Sequence, residues 1–438
     1  MREMTTQQCT FDQAGFEALL ARRGEPEWAV EQRRVAWARF CEQEWPARHD
    51  EEWIRTDTRL FKLDRYAIPE GGDSSLELPA ALLREGVELA GQSTAVDSRH
   101  HVSGLLEEYR SRGVLFGGLE AMIAEHGERL RPHLTNRITA ADADRFASLH
   151  SAFWSGGHLL YVPRGVVIEK PFHLHNVMTD GGVDLGRTLV ILEDGAEATV
   201  IAENATIAAD TDGLHCGAVE LAVGKAAHLR YVQMQDWGSG VWHFARQRAV
   251  VDADASLQWT IAALGSRLAK VNQDVALIGP GANCQVNGVM FTEGKQHLSY
   301  HTLQHHEAPH CRSDFLYKSA LQDKSRTVWR GMIKVDPAAQ RTDGYQRNDN
   351  LLLSERARAD SIPGLEIEAD DVRCTHGSTS GRVDDELIFY TQCRGYTRRE
   401  AVRIIVSGFF QQIFDRITIP SVRDALAGAI VRRVREYD

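Results

Sequence analysis

The chain has 438 residues, of which 43% are hydrophobic and 25% are charged, and its formal net charge is −11. This is the composition of an ordinary globular protein with enough length for a large core. The negative charge argues against binding to nucleic acid, because phosphate recognition needs a basic surface.

The sequence also restricts where the protein works. Met1–Gln8 includes an acid and no apolar core, so we expect no signal peptide. No apolar run approaches the ~20 residues that a membrane-spanning helix needs, so we expect no membrane association. The seven cysteines are scattered without a C-x-x-C pair. This pattern favours free thiols in a reducing cytoplasm over disulfides, a zinc ribbon or a ferredoxin-type cluster.

Residues 1–152 are predicted to form an N-terminal helical region. Pro26 suits a first helical position, and Asp142 and Asp144 suit a helix N-terminus. The predicted helices are Pro26–Phe40, Leu78–Leu89, Leu119–Leu130 and Thr139–Trp154.

Residues 157–372 change to short runs in which Val, Ile and Leu alternate with polar residues, which is typical of strands. The predicted strands include His158–Val162, Gly165–Ile168, Arg187–Leu192, Ala198–Ala202, Ala218–Val223, Leu229–Gln233 and Ser256–Thr260.

Turn residues recur through this region at intervals of 30, 29, 30 and 27 residues, at Gly165, Gly195, Gly224, Asp254 and Gly281. A strand–turn–strand unit at a fixed interval is typical of a solenoid, in which each unit packs its apolar face on the next. We therefore favour a β-helix core. A large β-sandwich is the alternative, because it also has regular short strands.

Residues 373–438 are predicted to be mainly helical. Asp384 begins one helix and Gly395 ends it, while Thr397 and Glu400 form a capping box for the next. Ser421–Tyr437 is the last predicted helix. These helices would cap the open end of the solenoid or offer a docking face. The middle helix carries an apolar stripe of Val402, Ile405, Val406, Phe409, Ile413 and Phe414.

A histidine-rich segment is the first candidate site. Residues 297–311 contain five histidines and Cys311, all usable as metal ligands, although histidines also line sheets as hydrogen-bonding residues. His306-Glu307-Ala308-Pro309-His310 matches H-E-x-x-H. Zinc-protease chemistry needs that motif on a helix, and Pro309 would break one. We therefore interpret the match as coincidental.

Cys374 and His376 form the second candidate site, because residues two apart on a strand point the same way. Both are suitable ligands for Fe(II) or Zn(II), and together they also resemble a nucleophile–base pair. By spacing alone, a buried cysteine beside a capping histidine at a turn is the favoured explanation. The chain has no P-loop, no G-x-S-x-G and no G-x-G-x-x-G motif, so we expect no catalytic residues of these classes.

An ordered string of short motifs in residues 310–410 resembles the SufB/SufD family of iron–sulfur cluster assembly proteins. The resemblance is weaker in the solenoid and reaches the N-terminal region only over Pro46–Leu63. The motifs that carry it are Arg330-Gly331, Ala339-Gln340, Asp343-Gly344-Tyr345-Gln346, Asn350-Leu-Leu-Leu-Ser354, Leu365-Glu-Ile-Glu368, Asp370-Asp371, Cys374-Thr-His376-Gly377, Asp385-Glu386, Phe389-Tyr390 and Arg394-Gly395.

This resemblance implies a right-handed parallel β-helix between N-terminal and C-terminal helices. It implies a non-catalytic scaffold that pairs with a SufB-like paralogue and a SufC-like ABC ATPase, and a homodimer is left open for the isolated chain. A transient iron or iron–sulfur cluster would lie at the subunit interface, with no cofactor bound permanently. The implied ATPase contact comprises Asp385, Glu386, Phe389, Tyr390, Arg394 and Gly395.

Within the family the chain is closer to the SufD type. The SufB-type cysteine aligns near Asn348, and no cysteine lies between Cys311 and Cys374. The SufB-type His-Glu pair aligns with His376-Gly377, so its carboxylate is missing. The resemblance therefore implies that His376 serves cluster assembly as a transient metal ligand, and Cys374 beside it is a second candidate ligand whose participation the resemblance leaves open.

Two other functions remain as alternatives. The first is a SufB-type scaffold that accepts persulfide sulfur on Cys374 or Cys311. The second is an unrelated carbohydrate-active β-solenoid enzyme, although the sequence shows neither secretion nor an obvious carboxylate pair.

Overall fold

The computed structural model describes residues 10–47, 49–68, 76–134 and 143–434. Its helices are α1 Gln13–Arg23, α2 Glu27–Glu42, α3 Glu107–Arg110, α4 Leu119–Leu134, α5 Arg145–Phe153, α6 Asp385–Gln392, α7 Arg398–Phe414 and α8 Pro420–Arg433, with a 3₁₀ helix at Leu63–Arg65. Met1–Gln8, Thr139 and Asp142, which entered the predictions, lie outside the described residues, so those predictions are not tested there.

The strands alternate between two sheets. They are β1 Gly91–Val96, β2 Arg99–Leu105, β3 Leu115–Gly118, β4 Gly156–Val162, β5 Phe172–Met178, β6 Gly182–Asp184, β7 Gly186–Leu192, β8 Glu197–Thr206, β9 Asp212–Val223, β10 His228–Asp236, β11 Gly240–Val251, β12 Ser256–Ala263, β13 Leu268–Leu277, β14 Asn283–Thr292, β15 His297–His306, β16 Arg312–Leu321, β17 Arg326–Val335, β18 Asp343–Leu352, β19 Arg358–Ile367 and β20 Arg373–Arg382.

The first sheet has the order β2-β1-β5-β8-β10-β12-β14-β16-β18-β20, and the second has the order β19-β17-β15-β13-β11-β9-β7-β4-β3. From β7 onward every strand pairs in parallel with the strand two positions along the chain. The prediction of a parallel β-solenoid with helices at both ends is confirmed, and the β-sandwich alternative is wrong.

Alternation along each strand separates an inner from an outer face. On β8, Ala198, Val200 and Ala202 belong to the core between the sheets, whereas Ile201 packs in the separate core under the C-terminal helices. Strands buried on both faces need apolar residues on both, as parallel sheets usually do. This is why apolar side chains are dense in the middle of the chain.

The predicted turns stack on one another along one side of the solenoid. Gly165, Gly195, Asp254 and Gly281 all have left-handed φ values, from 55° to 76°. The amide of Gly165 donates to the carbonyl of Asp194 at 2.9 Å, and each later turn repeats this bond to the next. Gly224 is an exception, because the left-handed residue of its turn is Ala226, with φ of 52°.

The N-terminal region is less helical than predicted. β1, β2 and β3 lie within residues 1–152, and β1 pairs in parallel with β5 at the start of the first sheet. The helix predicted at Leu78–Leu89 is wrong. The buried Glu203 carboxylate accepts the amides of Leu82 and Leu83 at 2.7 and 2.8 Å, which supports a turn instead.

Other N-terminal elements match their patterns. α2 and α4 are confirmed, and Asp144 is the N-cap of α5, accepting the amide of Ala147 at 2.8 Å. The strand predicted at Gly165–Ile168 is instead a turn with a single bridge at Val167.

The C-terminal helices cover the outer face of the first sheet. The capping box of Thr397 and Glu400 is confirmed at the start of α7. The apolar stripe of α7 is confirmed as packing surface, because Val402, Val406 and Ile413 are buried in one core with sheet residues, while Ile405 and Phe409 are partly buried against it. The solenoid continues through β20 to Arg382, ten residues past the boundary at residue 372.

Candidate functional site at the open end of the solenoid

The two ends of the solenoid differ. At its start, the first sheet turns back through the antiparallel β1–β2 pair. At its other end, β19 and β20 are the last strands of their sheets, and each has one neighbouring strand within the described residues. Side chains of β19 and β20 are half-buried or exposed, whereas most on earlier strands are buried. The end is therefore an open edge with free backbone hydrogen-bonding groups.

Cys374 and His376 lie on β20, on this open edge. Cys374 pairs with Gly344 and His376 with Gln346 of β18. Cys374 packs with Val372 against a small core that includes Ile333, so its face of β20 is the one directed between the two sheets. The expected shared face is confirmed by strand geometry, since the two residues are two apart on one strand.

The two side chains differ in chemistry. Cys374 is half-buried, and burial raises the pKa of its thiol; the charge of Asp343 adds to this, while the amide of Gly344 opposes it. Its thiolate, which is the nucleophilic and metal-binding form, is therefore disfavoured at neutral pH. His376 is exposed, and within the described residues its side chain has no hydrogen-bond or ion-pair partner. Its imidazole is available to another molecule.

A polar network that was not predicted joins the last strands. The Nδ2 group of Asn350 donates to Oδ1 of Asn348 at 2.8 Å, to Oγ of Ser361 at 3.0 Å and to Oγ of Ser380 at 3.1 Å. These contacts link β18, β19 and β20. The only local signal was the alternate-residue spacing of the two asparagines, because the partners depend on strand register.

Cys374 and His376 do not complete a metal site in this chain. Across the described ranges, no three His, Cys, Asp or Glu side chains lie close enough together to hold a metal ion. The pair supplies at most two ligands, so stable binding of iron would need donors from another molecule.

The histidine-rich segment forms β15 and the turn after it. His306 is buried and hydrogen-bonds Ser313 at 2.8 Å, and His305 lies 3.0 Å from Asp336. His310 occupies a left-handed turn with φ of 62°. The H-E-x-x-H match is thus not on a helix, which confirms that it is coincidental.

A second exposed surface lies on α6 and the start of α7. Phe389 and Tyr390 are 68% and 56% exposed, and the guanidinium of Arg394 lies 3.5 Å from the centre of the Tyr390 ring. Asp385 pairs with Arg398 at 3.3 Å. Gly395 has φ of 92°, which permits the turn between the two helices. Large exposed apolar side chains of this kind usually mark a protein-binding surface.

These features define a class of protein: a two-sheet β-solenoid with an open end and an exposed apolar helix, both suited to contacts with other chains. Two family models match it. The SufBD protein N-terminal region matches residues 17–174, and the SUF system FeS cluster assembly SufBD core domain matches residues 175–409.

Individual relatives agree with both models. An iron–sulfur cluster assembly SufBD family protein of Mycobacterium leprae is 34% identical over 384 residues, covering 84% of this chain and 91% of the relative. A relative from Staphylococcus epidermidis is 27% identical, covering 84% and 76%. One from Staphylococcus aureus is 28% identical, covering 74% and 70%. The chain belongs to the SufB/SufD family of iron–sulfur cluster assembly proteins.

The family assignment confirms the resemblance in the sequence. It also shows that the alternative of an unrelated carbohydrate-active enzyme is wrong. Among the described residues, no helix combines the length and apolarity needed to cross a membrane. The six described cysteines are free thiols, as expected.

Proposed function

We propose that the chain is a SufD-type scaffold that assembles iron–sulfur clusters together with a SufB-type sister chain and a SufC-type ATPase in the cytoplasm. The observation that carries this proposal is the exposed, unpartnered imidazole of His376 on the open edge β20. An edge strand is a natural template for pairing with a strand of another chain. Such pairing would bring the sister's ligands next to His376.

The chemistry of the site favours a transient role. A neutral imidazole binds Fe(II) reversibly. The thiol of Cys374 is held protonated by burial, so we assign sulfur delivery to the sister chain. The iron and sulfide are cargo in this proposal, and the chain itself carries no resident cofactor and no catalytic residue.

A test of His376 uses the chain coexpressed with its sister and ATPase. We expect His376→Ala to lower the iron and acid-labile sulfide bound by the purified complex without changing its assembly. His101→Ala is the matched control, because His101 is an exposed histidine on β2, at the other end of the first sheet. Equal cluster content in both variants would remove His376 from the mechanism.

The second part of the proposal assigns α6 to the ATPase. We propose that Phe389 and Tyr390 insert into the ATPase surface, with Asp385, Glu386 and Arg394 at the rim around them and Gly395 in the turn. Phe389→Asp should abolish copurification of the ATPase and leave the sister chain bound. The control is Leu60→Asp, because Leu60 is 67% exposed on the N-terminal region. ATPase capture by Phe389→Asp at the level of the control would contradict this assignment.

The SufB-type alternative makes a different prediction. If Cys374 or Cys311 accepted sulfur, incubation with a cysteine desulfurase and free cysteine as its sulfur donor would transfer one sulfur atom to the thiol. Intact mass spectrometry would detect this persulfide as a 32 Da increase, about the mass of one sulfur atom. Burial raises the pKa of both thiols, which disfavours this reaction.

In the absence of the sister, we expect the open edge to pair with a second copy of the chain.

A further inference from the structure

A cluster of basic side chains lies on the outer face of the second sheet, away from the open edge. Register places Arg246, Asn272, His301 and Arg330 in one row across β11, β13, β15 and β17. Lys270 lies two residues before Asn272 on the same face, and Arg248 two residues after Arg246. We call Arg246, Arg248, Lys270 and Arg330 the basic cluster; burial lowers the pKa of His301 to about 2, so its imidazole is neutral.

Lys270 has few partners for a buried charge. Lys270 is only 2% exposed. Its Nζ donates to the backbone carbonyl of Glu52 at 3.2 Å and lies 5.4 Å from the centre of the Trp53 ring. Burial lowers the pKa of Lys270 to about 7, and Arg330 and Arg246 add to this while Glu52 and Asp144 oppose it. A buried ammonium needs more acceptors than it has here.

The arginines of the cluster also have unused donors. Among the described residues, the Nε groups of Arg246 and Arg248 are buried without a hydrogen-bond acceptor, and so is the hydroxyl of Ser299. Leaving a buried donor of this kind unsatisfied is unfavourable. Each of these unsatisfied groups can donate a hydrogen bond, so the cluster lacks an acceptor.

The acidic residues nearby satisfy only part of the basic cluster. Glu51 pairs with Arg330 at 2.7 Å, and Asp144 accepts the amide of Ala147 as the N-cap of α5. Asp274 lies directly opposite Arg248 in the register, and burial raises the pKa of its carboxyl. The positive charges of Arg246 and Arg248 oppose that rise, so the Asp274 carboxylate already interacts with both arginines electrostatically.

A cavity lies beside Arg246 and Lys270, while Arg248 and Ser299 lie outside its lining. It has a volume of about 30 Å³, and its lining includes Trp53, Asp144, Arg246, Lys270 and Asn272. By this measure one water needs roughly 10–15 Å³, so the space holds about two waters or one compact group. A whole metabolite would not fit.

We propose that the basic cluster binds a small tetrahedral oxyanion of the size of phosphate or sulfate. The guanidinium of Arg246 would hold two of its oxygens and the ammonium of Lys270 a third, since both residues line the cavity. Asn272 lies between them and donates its amide. The site is separate from the open edge, so the absence of oxyanion binding would not contradict the proposed function.

The test measures binding of inorganic phosphate and sulfate to the full chain by calorimetry, with chloride at equal ionic strength as reference. We expect saturable binding of both oxyanions and a rise in melting temperature. Lys270→Gln and Arg246→Gln should weaken binding by about tenfold or more, since each removes a charged donor. Lys225→Gln, at an exposed turn, should bind like the unaltered chain.

A further variant keeps the test decisive if Lys270→Gln does not fold. Asn272→Asp retains both cations and places a carboxylate where the anion would lie. We expect it to raise the melting temperature of the free protein and to abolish the phosphate effect. The proposal is overturned if phosphate and sulfate act no differently from chloride, or if Asn272→Asp still binds phosphate as the unaltered chain does.

Discussion

Arg33 joins the N-terminal helices to the start of the solenoid, and replacing it gives the sharpest test of how these parts are held together. Its guanidinium is 1% exposed. Nε and NH2 donate to the carboxylate of Glu25 at 2.6 and 2.7 Å, and NH1 donates to the carbonyls of Ala152 and Trp154 at 2.9 and 3.1 Å. The Trp154 ring lies 4.1 Å away.

Arg33→Met keeps most of the side-chain volume and removes every one of these hydrogen bonds. The carbonyls of Ala152 and Trp154 then lose this donor, and the Glu25 carboxylate keeps only Arg23, at 3.0 Å. Breaking a buried ion pair by removing one partner costs about 3–5 kcal/mol, and we expect a loss of stability in this range. The measurement is urea unfolding followed by tryptophan fluorescence and far-ultraviolet circular dichroism.

Two further variants separate the ion pair from other effects. Arg34→Met changes an exposed neighbour on α2 and should alter stability by less than about 0.5 kcal/mol. The double variant Arg33→Met with Glu25→Met also removes the carboxylate that lost its main partner, and it should recover a large part of the loss. A loss below about 1 kcal/mol in Arg33→Met, or a double variant no more stable than the single, would refute this reasoning.

Three other predictions follow from burial and local geometry. The first concerns three fully buried histidines. Burial lowers the pKa of His150 to about 3, of His158 to about 4 and of His215 to about 3. The unfolded chain protonates them near pH 6.5, so stability should fall as pH drops from about 6.5 towards 4, by up to about 1.4 kcal/mol per pH unit for each. Burial raises the pKa of Asp184 to about 7, so Asp184 offsets about one histidine's contribution to this loss of stability. Urea midpoints that stay level over this pH range would contradict the prediction. In Gly288→Ala the new carbon would lie 2.2 Å from the buried Tyr317 ring, so we expect a loss of about 1–3 kcal/mol in thermal unfolding, whereas Gly408→Ala, with open space on α7, should cost nothing. Thr397→Ala removes the capping box and should cost α7 about 1 kcal/mol, seen as faster hydrogen exchange in its first turn; unchanged exchange there would show that packing alone holds the helix.

Predictions that rest on neighbouring residues succeeded most often. The capping box at Thr397 and the N-cap at Asp144 involve contacts three residues apart, so the sequence order already contains them. The helix predicted at Leu78–Leu89 failed because its amides are bound by Glu203, over one hundred residues away. Composition alone could not reveal that competing acceptor.

The candidate site was found in part. The pairing of Cys374 with His376 follows from strand periodicity, but their position on the last strand of a sheet depends on which strand pairs with β18. The network around Asn350 and the basic cluster around Lys270 were missed, because their members are brought together only by register between strands far apart in the chain.

The sequence by itself determined the solenoid, since alternating apolar residues and turns at nearly constant spacing specify a repeating unit that buries its surface only by stacking. The tertiary structure alone decided which side chains stay exposed at the end of that stack. His376 and Gln346 lie side by side in the same register, yet one is exposed and the other buried. The difference arises because β20 covers Gln346 of β18, whereas β20 is the last strand of the described sheet and no further strand covers His376.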